Sequence, residues 1–339
     1  MQKRKSINDI AKDLNVAIST VSAVLNGKAE ERRISTGMTK KVLEYAEKIG
    51  YQPNMIARSL RTGKSNIIGM LVEDISDPFF ASIARLVEKN AALHNYKLFY
   101  SSTENNASKA KGLIRAFRDQ QVDAYIIAPT PGIEKEIQLL LNEKAPLVLF
   151  DRFFPNIPTN NIVVDNFGGA LNATNHLLKN GYKNIAFITL RSKQKQMTDR
   201  LEGYIEAVNQ QLKPAYINQI DYLFSEEILQ EKIEQYINKN PQLDAIFFAT
   251  NYLAISGLRA LKKIGLKIPN EVAVLGFDDN THFNLFTPSI TSVAQPIEKI
   301  SEEIVRVLIK NIQHNISESD RENVVLQTEL IVRESSVKL

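Results

Sequence analysis

"INDIAKDLNVAISTVSAVLNG", residues 7–27, decides how the first part of this chain folds. Ile7, Ile10, Ala11 and Leu14 recur at helical spacing behind Ser6, a residue suited to the N-cap. Asn15 can end that helix, and Val16 and Ala17 make a short apolar turn. Ser19 can start a second helix with Val21, Val24 and Leu25 on its buried side and Asn26-Gly27 as its stop. Two short helices joined this tightly match the helix-turn-helix geometry, whose second helix enters a DNA major groove by its N-terminus. A third helix is expected from Ser35 to Ile49, with Val42, Leu43, Ala46 and Ile49 facing the core and Gly50 ending it.

Charge points the same way. Residues 1–64 hold 13 Lys and Arg against 6 Asp and Glu, whereas the rest of the 339 residues hold 29 against 32. A basic head on a slightly acidic body suits a polyanionic partner for the head. With 44% hydrophobic and 24% charged residues the composition is that of a globular protein. No apolar run approaches the roughly 18 residues of a membrane span, and the basic start "MQKRKSINDIAKDL" lacks the apolar region of a secretory signal. There is no cysteine, which fits a reducing compartment. The expected location is the cytoplasm, with no membrane partner.

After Ser65 the texture changes. "NIIGMLVED", "KLFYSS", "DAYIIAP", "PLVLFD" and "NIVVD" read as strands separated by helical stretches such as "FFASIARLVEKNAALHNY" and "ASKAKGLIRAFRDQ". The alternation restarts with helix "FGGALNATNHLLKNG", strand "NIAFIT", helix "DRLEGYIEAVNQQ", strand "DAIFFAT", helix "NYLAISGLRALKKIG" and strand "VAVLGFDD". Alternating β and α elements imply doubly wound parallel sheets. The fold class is therefore α/β, with a small all-α head followed by two α/β lobes. Ligands of such sheets bind beyond the carboxyl ends of the strands. That rule selects Asp77, Phe79 and Phe80 after the first strand, Asp151 after "PLVLF", Asn251 after "FFAT" and Asp278 after "VLGF".

Four elements of the head, "DIA", "V-x-x-STVS-x-VLN", "A-x-x-x-GY-x-PN" and "A-x-SL", occur in order within the first 60 residues. Together they resemble the DNA-binding head of the LacI/GalR family of bacterial transcription regulators. The body elements "DPFF", "VLFDR", "VVDN-x-GGA", "DRLEGY", "FFATN" and "TPSITSVAQP" resemble the same family's effector-binding body, which has the type I periplasmic-binding-protein fold. The resemblance covers essentially the whole chain. It implies a head over residues 1–53, a hinge helix over 54–64 and a body over 65–339. It further implies three crossings between lobes, so that the first lobe takes about 65–166 plus 292–326 and the second about 167–291 plus 327–339.

Roles follow from the resemblance residue by residue. Ile18, Ser19 and Ala23 fall where the second helix meets base edges, and Thr20, Ser22 and Asn26 where side chains meet phosphates or the groove wall. In the hinge, Leu60 matches the residue that wedges between base steps, Ala57 the small residue between two hinge helices, and Asn54 and Arg58 groove or backbone contacts. Arg200 matches an effector-binding arginine. Three departures stand out: the Arg or His common in the family near Ala23 is absent, the loop "GKAEERR" is a few residues longer than in better-known relatives, and Asn251 stands in the "FFATN" region where relatives usually carry Asp. The implied partners are a near-palindromic double-stranded operator, a second copy of the chain, and a small effector. Carboxylates and an arginine suit a sugar or sugar derivative, with a nucleobase or nucleoside as the alternative.

Enzymes fit poorly. "RTGKS" lacks the first glycine of a phosphate-binding loop, which would fall on Arg58. His94, His176, His282 and His314 show no metal-ligand spacing, and no G-x-S-x-G occurs. No catalytic residue, metal or cofactor is expected. A plain solute-binding protein would share the body but lack the head.

Overall fold

The computed structural model describes residues 5–51, 63–222, 225–314 and 320–338. The chain divides into two units, Met1–Ser65 and Asn66–Leu339.

The first unit is built on α1 (Ile7–Leu14), α2 (Ile18–Leu25) and α3 (Thr36–Lys48). Ser6 and Asp9 form a capping box: the Asp9 N–H donates to Ser6 Oγ and the Ser6 N–H to Asp9 Oδ2 at 2.7 Å. Asn15 closes α1 in the left-handed region at φ 53°, which an asparagine tolerates. Ile10, Val21 and Val42, one from each helix, are fully buried against one another. The structure departs from expectation at two places. The second helix starts at Ile18, behind an extended Ala17 without a side-chain cap, rather than at Ser19. Leu43 is 48% exposed, because Val42 and Ala46 already fill the narrow face that α3 presents to so small a core.

The second unit holds two six-stranded sheets. The first has the order β11-β5-β4-β3-β1-β2, from β1 (Ile67–Val72), β2 (Lys97–Ser102), β3 (Ala124–Ile127), β4 (Leu147–Phe150), β5 (Asn160–Val164) and β11 (Asn323–Leu326). The second has the order β12-β10-β9-β8-β6-β7, from β6 (Ile185–Leu190), β7 (Tyr216–Ile220), β8 (Ala245–Phe248), β9 (Ala273–Phe277), β10 (Thr291–Ala294) and β12 (Glu329–Ile331). Every pairing is parallel except that of β10 with β12. Central strands such as β3, β4, β8 and β9 are buried along their whole length, as sheets covered on both faces require.

Helices α4 (Pro78–Ala92), α5 (Ala107–Asp119), α6 (Glu134–Asn142) and α11 (Ile297–Gln313) cover the first sheet. Helices α7 (Asn166–Lys179), α8 (Lys195–Gln210), α9 (Glu226–Lys239) and α10 (Asn251–Ile264) cover the second. The chain passes between the lobes after β5, after β10 and between β11 and β12. Ser292 to Ala294 lie in β10, paired to β9 and β12, so the return to the first lobe comes after Ala294 rather than at Ser292. The pair β7 and α9 was not expected from the sequence. β7 is an edge strand whose Asn218 and Gln219 hide its pattern, and α9 is an ordinary amphipathic helix with Leu229, Ile233 and Ile237 inside.

Candidate functional site

In the first unit the surface presented by α2 begins with Ile18, an isoleucine left 51% exposed, and an exposed Ser19. Thr20, Ser22 and Ala23 are half-buried, while Asn26 is exposed and caps the helix end, its Nδ2 donating to the Ser22 carbonyl at 2.6 Å. The first turn of α2 has no side-chain cap; the Thr20 and Val21 N–H groups donate to the Ala17 carbonyl, and the turn stands at the positive end of a helix dipole. Such a helix start suits phosphate oxygens, and an exposed isoleucine beside it suits a thymine methyl. Arg32 and Arg33 in the following loop are exposed, and it is Lys28 that reaches Glu31, at 3.7 Å. Asn54, Ala57, Arg58 and Leu60 lie outside the described residues.

The second unit holds a cavity of about 350 Å³ whose walls come from both lobes. Asp77, Phe79, Phe80, Asp151, Arg200, Asn251 and Asp278 all line it. Local backbone explains the convergence. Asp77 caps α4, accepting the Phe79 N–H at 2.8 Å. Asn251 opens α10 behind the capping Thr250. Asp151 and Asp278 directly follow β4 and β9 and take left-handed backbone conformations, φ 63° and 69°. Non-glycine residues rarely adopt that region, and it breaks each strand sharply at the mouth of its sheet.

Arg200 sits in the second turn of α8, farther from the helix start than the sequence suggests, because the helix begins at Lys195. It is 1% exposed. Its Nε donates to Asn166 Oδ1 at 2.8 Å, and its Nη1 to the Ala249 carbonyl at 2.7 Å and to Asp278 Oδ2 at 3.2 Å. Nη2 reaches Asp278 Oδ1 at 3.4 Å, and the guanidinium lies 3.7 Å over the Phe277 ring. Asp278 also accepts Gln295 Nε2 at 2.6 Å. A second buried guanidinium, Arg152, donates to Asp151 at 3.1 Å, to Asn105 at 3.0 Å and to Glu73. Burial opposes its charge, but Glu73 and Asp151 outweigh burial and raise its pKa. Glu73 also takes the hydroxyl of Tyr222, so a residue after β7 bonds one after β1 across the cleft.

Phe79 and Phe80 are 8% and 6% exposed and pack edge-to-face, Phe80 also against Phe150. They are mainly core, and the half-buried Tyr222 and Tyr252 offer the more accessible rings in the cavity wall. Sequence reasoning missed those tyrosines, Glu73, Gln194 and Gln196. Gln196 and Gln194 lie three and five residues ahead of the "DRLEGY" landmark, and the early start of α8 is the signal that could have found them.

Burial pushes the Asp77 carboxyl up to about 7, helped by the nearby Asp278 and opposed by the Phe79 N–H. Burial also raises Asp151. For Asp77 the folded value lies above its ordinary 3.8. Between about pH 4 and 7 the unfolded chain gives up this proton while the fold keeps it, so the stabilisation is present at low pH and is lost as pH rises through 7. Asp77→Asn, which preserves the cap, should flatten that part of the stability-versus-pH curve in urea melts. An unchanged slope would show that Asp77 titrates normally.

Among the described residues no helix is long and apolar enough to cross a membrane, and no cluster of His, Asp or Glu could hold a metal ion. The pattern of bacterial regulatory proteins of the lacI family matches residues 6–54, and that of the periplasmic binding protein-like domain matches residues 174–336. The chain is 32% identical to the HTH-type transcriptional regulator RegA of Clostridium saccharobutylicum, over 98% of this chain and 99% of that one. It is also 32% identical to the ribose operon repressor of Halalkalibacterium halodurans, over 98% and 97%. Its fold is similar to that of the lac repressor dimer bound to operator and the anti-inducer ONPF, with a TM-score of 0.86, 20% identity, and 99% and 100% of the chains covered. A helix-turn-helix unit, a two-lobed cavity body and whole-length likeness to such regulators establish that the chain belongs to the LacI family of DNA-binding transcription regulators.

Proposed function

We propose that the chain is a cytoplasmic, homodimeric repressor that binds a near-palindromic operator and responds to a small polyhydroxyl effector held between the lobes of its body. The observation that carries this reading is the cavity itself. It joins strand-end groups of both lobes in a chain that also bears an exposed reading helix. A ligand that touches both walls favours one lobe arrangement over others, and only differential binding of that kind can shift a regulator between states. Symmetry of the dimer would be mirrored in the two half-sites. In the operator, Ile18, Ser19 and Ala23 read bases, while Thr20, Ser22 and Asn26 hold the backbone. Asn54, Ala57, Arg58 and Leu60 act at its centre.

Gel shifts with genomic fragments test the reading directly: a few fragments should shift at low concentration and be released or tightened by one ligand. Leu60→Ala should weaken specific binding at least tenfold and reduce bending, while salt-dependent non-specific binding stays nearly constant. Equal operator affinity in the variant would make residues 54–64 a simple tether. Uniform shifting of all fragments would remove the regulator reading altogether.

A further inference from the structure

The charges around the cavity are unbalanced. Among the described residues six carboxyl side chains line it against two guanidiniums, with no lysine or histidine. Glu226 is taken by Arg259, and Asp74 accepts the N–H and hydroxyl of Ser76. Both guanidiniums are already committed. Arg152 is held by Glu73 and Asp151, and Arg200 by Asp278 together with two neutral acceptors. An incoming phosphate or carboxylate would have to displace a protein carboxylate from a buried arginine and then lie among the remaining acids.

The unmet capacity is mostly that of acceptors. Asp77 receives backbone N–H groups from Phe79 and Phe80 and has no ion-pair partner among the described residues. Gln196 is 4% exposed, lines the cavity, and its Oε1 accepts nothing among the described residues. A buried acceptor without a donor is costly, so a ligand that supplies a donor to Gln196 and a cation to Asp77 gains from both groups. Gln194 Nε2 is the one buried donor of the cavity wall left unmet among the described residues.

We infer that the effector is a polyhydroxyl compound bearing an ammonium group, seated with its cation toward Asp77, and that sugar phosphates and sugar acids are refused. The inference rests on the effector-cavity reading given above. Hydroxyls meet Gln194, Gln196 and the paired carboxylates, Tyr222 and Tyr252 offer ring surface to the ligand's C–H face, and the ammonium supplies a cation to Asp77.

The experiment is calorimetric titration of the full chain at pH 7.5 with D-glucosamine, D-galactosamine and D-mannosamine, each beside its neutral parent sugar and the parent's 6-phosphate. At least one amino sugar should bind at least tenfold more tightly than its parent, and the phosphates should give no heat of binding. Asp77→Asn should bring that amino sugar and its parent to within about threefold. A parent bound as tightly as its amino form, a bound phosphate, or silence from all three amino sugars would overturn the inference. Gel shifts on the same preparation separate the two readings. Selective fragment binding released by a phosphate ester leaves the regulator standing and removes only the ammonium ligand, whereas loss of selective binding removes the regulator.

Discussion

Arg200→Ala is expected to lower the stability of the body by about 3–5 kcal/mol and to abolish the response to effector. The first figure follows from breaking a buried ion pair on one side only. Removal of the guanidinium leaves Asp278 with Gln295 alone, and it leaves the Asn166 amide oxygen and the Ala249 carbonyl without their donor. Asp278 also lies beside Asp77, so the stranded carboxylate would repel a second acid in the same cavity. Arg200→Lys keeps the charge but not the fork that serves Asn166, Ala249 and Asp278 together, so it should recover only part of the loss. Denaturant melts of the body and effector titrations of both variants are the measurements. A variant as stable as the parent would mean that Asn166, Ala249 and Asp278 find other partners, and Arg200 would then be a ligand contact rather than the centre of the wall.

Gly203→Ala is the second large effect, and it comes from one methyl group. A Cβ at Gly203 would stand 2.3 Å from the Phe167 carbonyl oxygen and 3.0 Å from the Leu171 nitrogen, both backbone atoms of α7. No rotamer relieves that contact, so α8 must move away from α7. Overpacking of this kind costs about 1–3 kcal/mol or more, against about 1 kcal/mol returned by alanine's better helix propensity. The net expectation is a loss of about 2 kcal/mol. Effector affinity should fall with it, since Arg200 lies one turn earlier on the same helix. Gly112→Ala is the control: it too is a helical glycine, but nothing lies within 4 Å of its added Cβ, and stability should rise by about 0.5–1 kcal/mol. The same sign for both changes in thermal melts would refute the packing argument.

Apart from Arg200, which the family resemblance supplied, the residues that the sequence placed in the cavity follow from a rule about strand ends, and that rule works where a buried strand has a sharp polar stop. Asp151 and Asp278 follow fully buried strands, so their position was plain. The rule is blind to groups arriving from elsewhere. Tyr222 follows β7, whose Asn218 and Gln219 hide the strand. Gln196 sits in a first helical turn that starts ahead of any recognisable apolar period. Phe79 and Phe80 illustrate the opposite failure, because position alone cannot tell a ring that faces ligand from one that fills the core under it. In the head, helical spacing located α1 and α3, but the start of α2 was set by the extended backbone of Ala17 and not by a capping serine.

The pairing of β5 with β11 joins residues about 162 positions apart. At roughly 5–20 residues per second on the ribosome, the interval between making one strand and the other is about 8–30 s. Throughout that time Ile162, Val163 and Val164 form a raw sheet edge on a nascent lobe, the kind of template that recruits strands from other chains. The second lobe is synthesised during the same interval, so its elements are the nearest candidates to shield that edge. Any fragment that stops before residue 323 keeps that edge, which makes the lobe's solubility depend on a strand made long after the rest of its sheet.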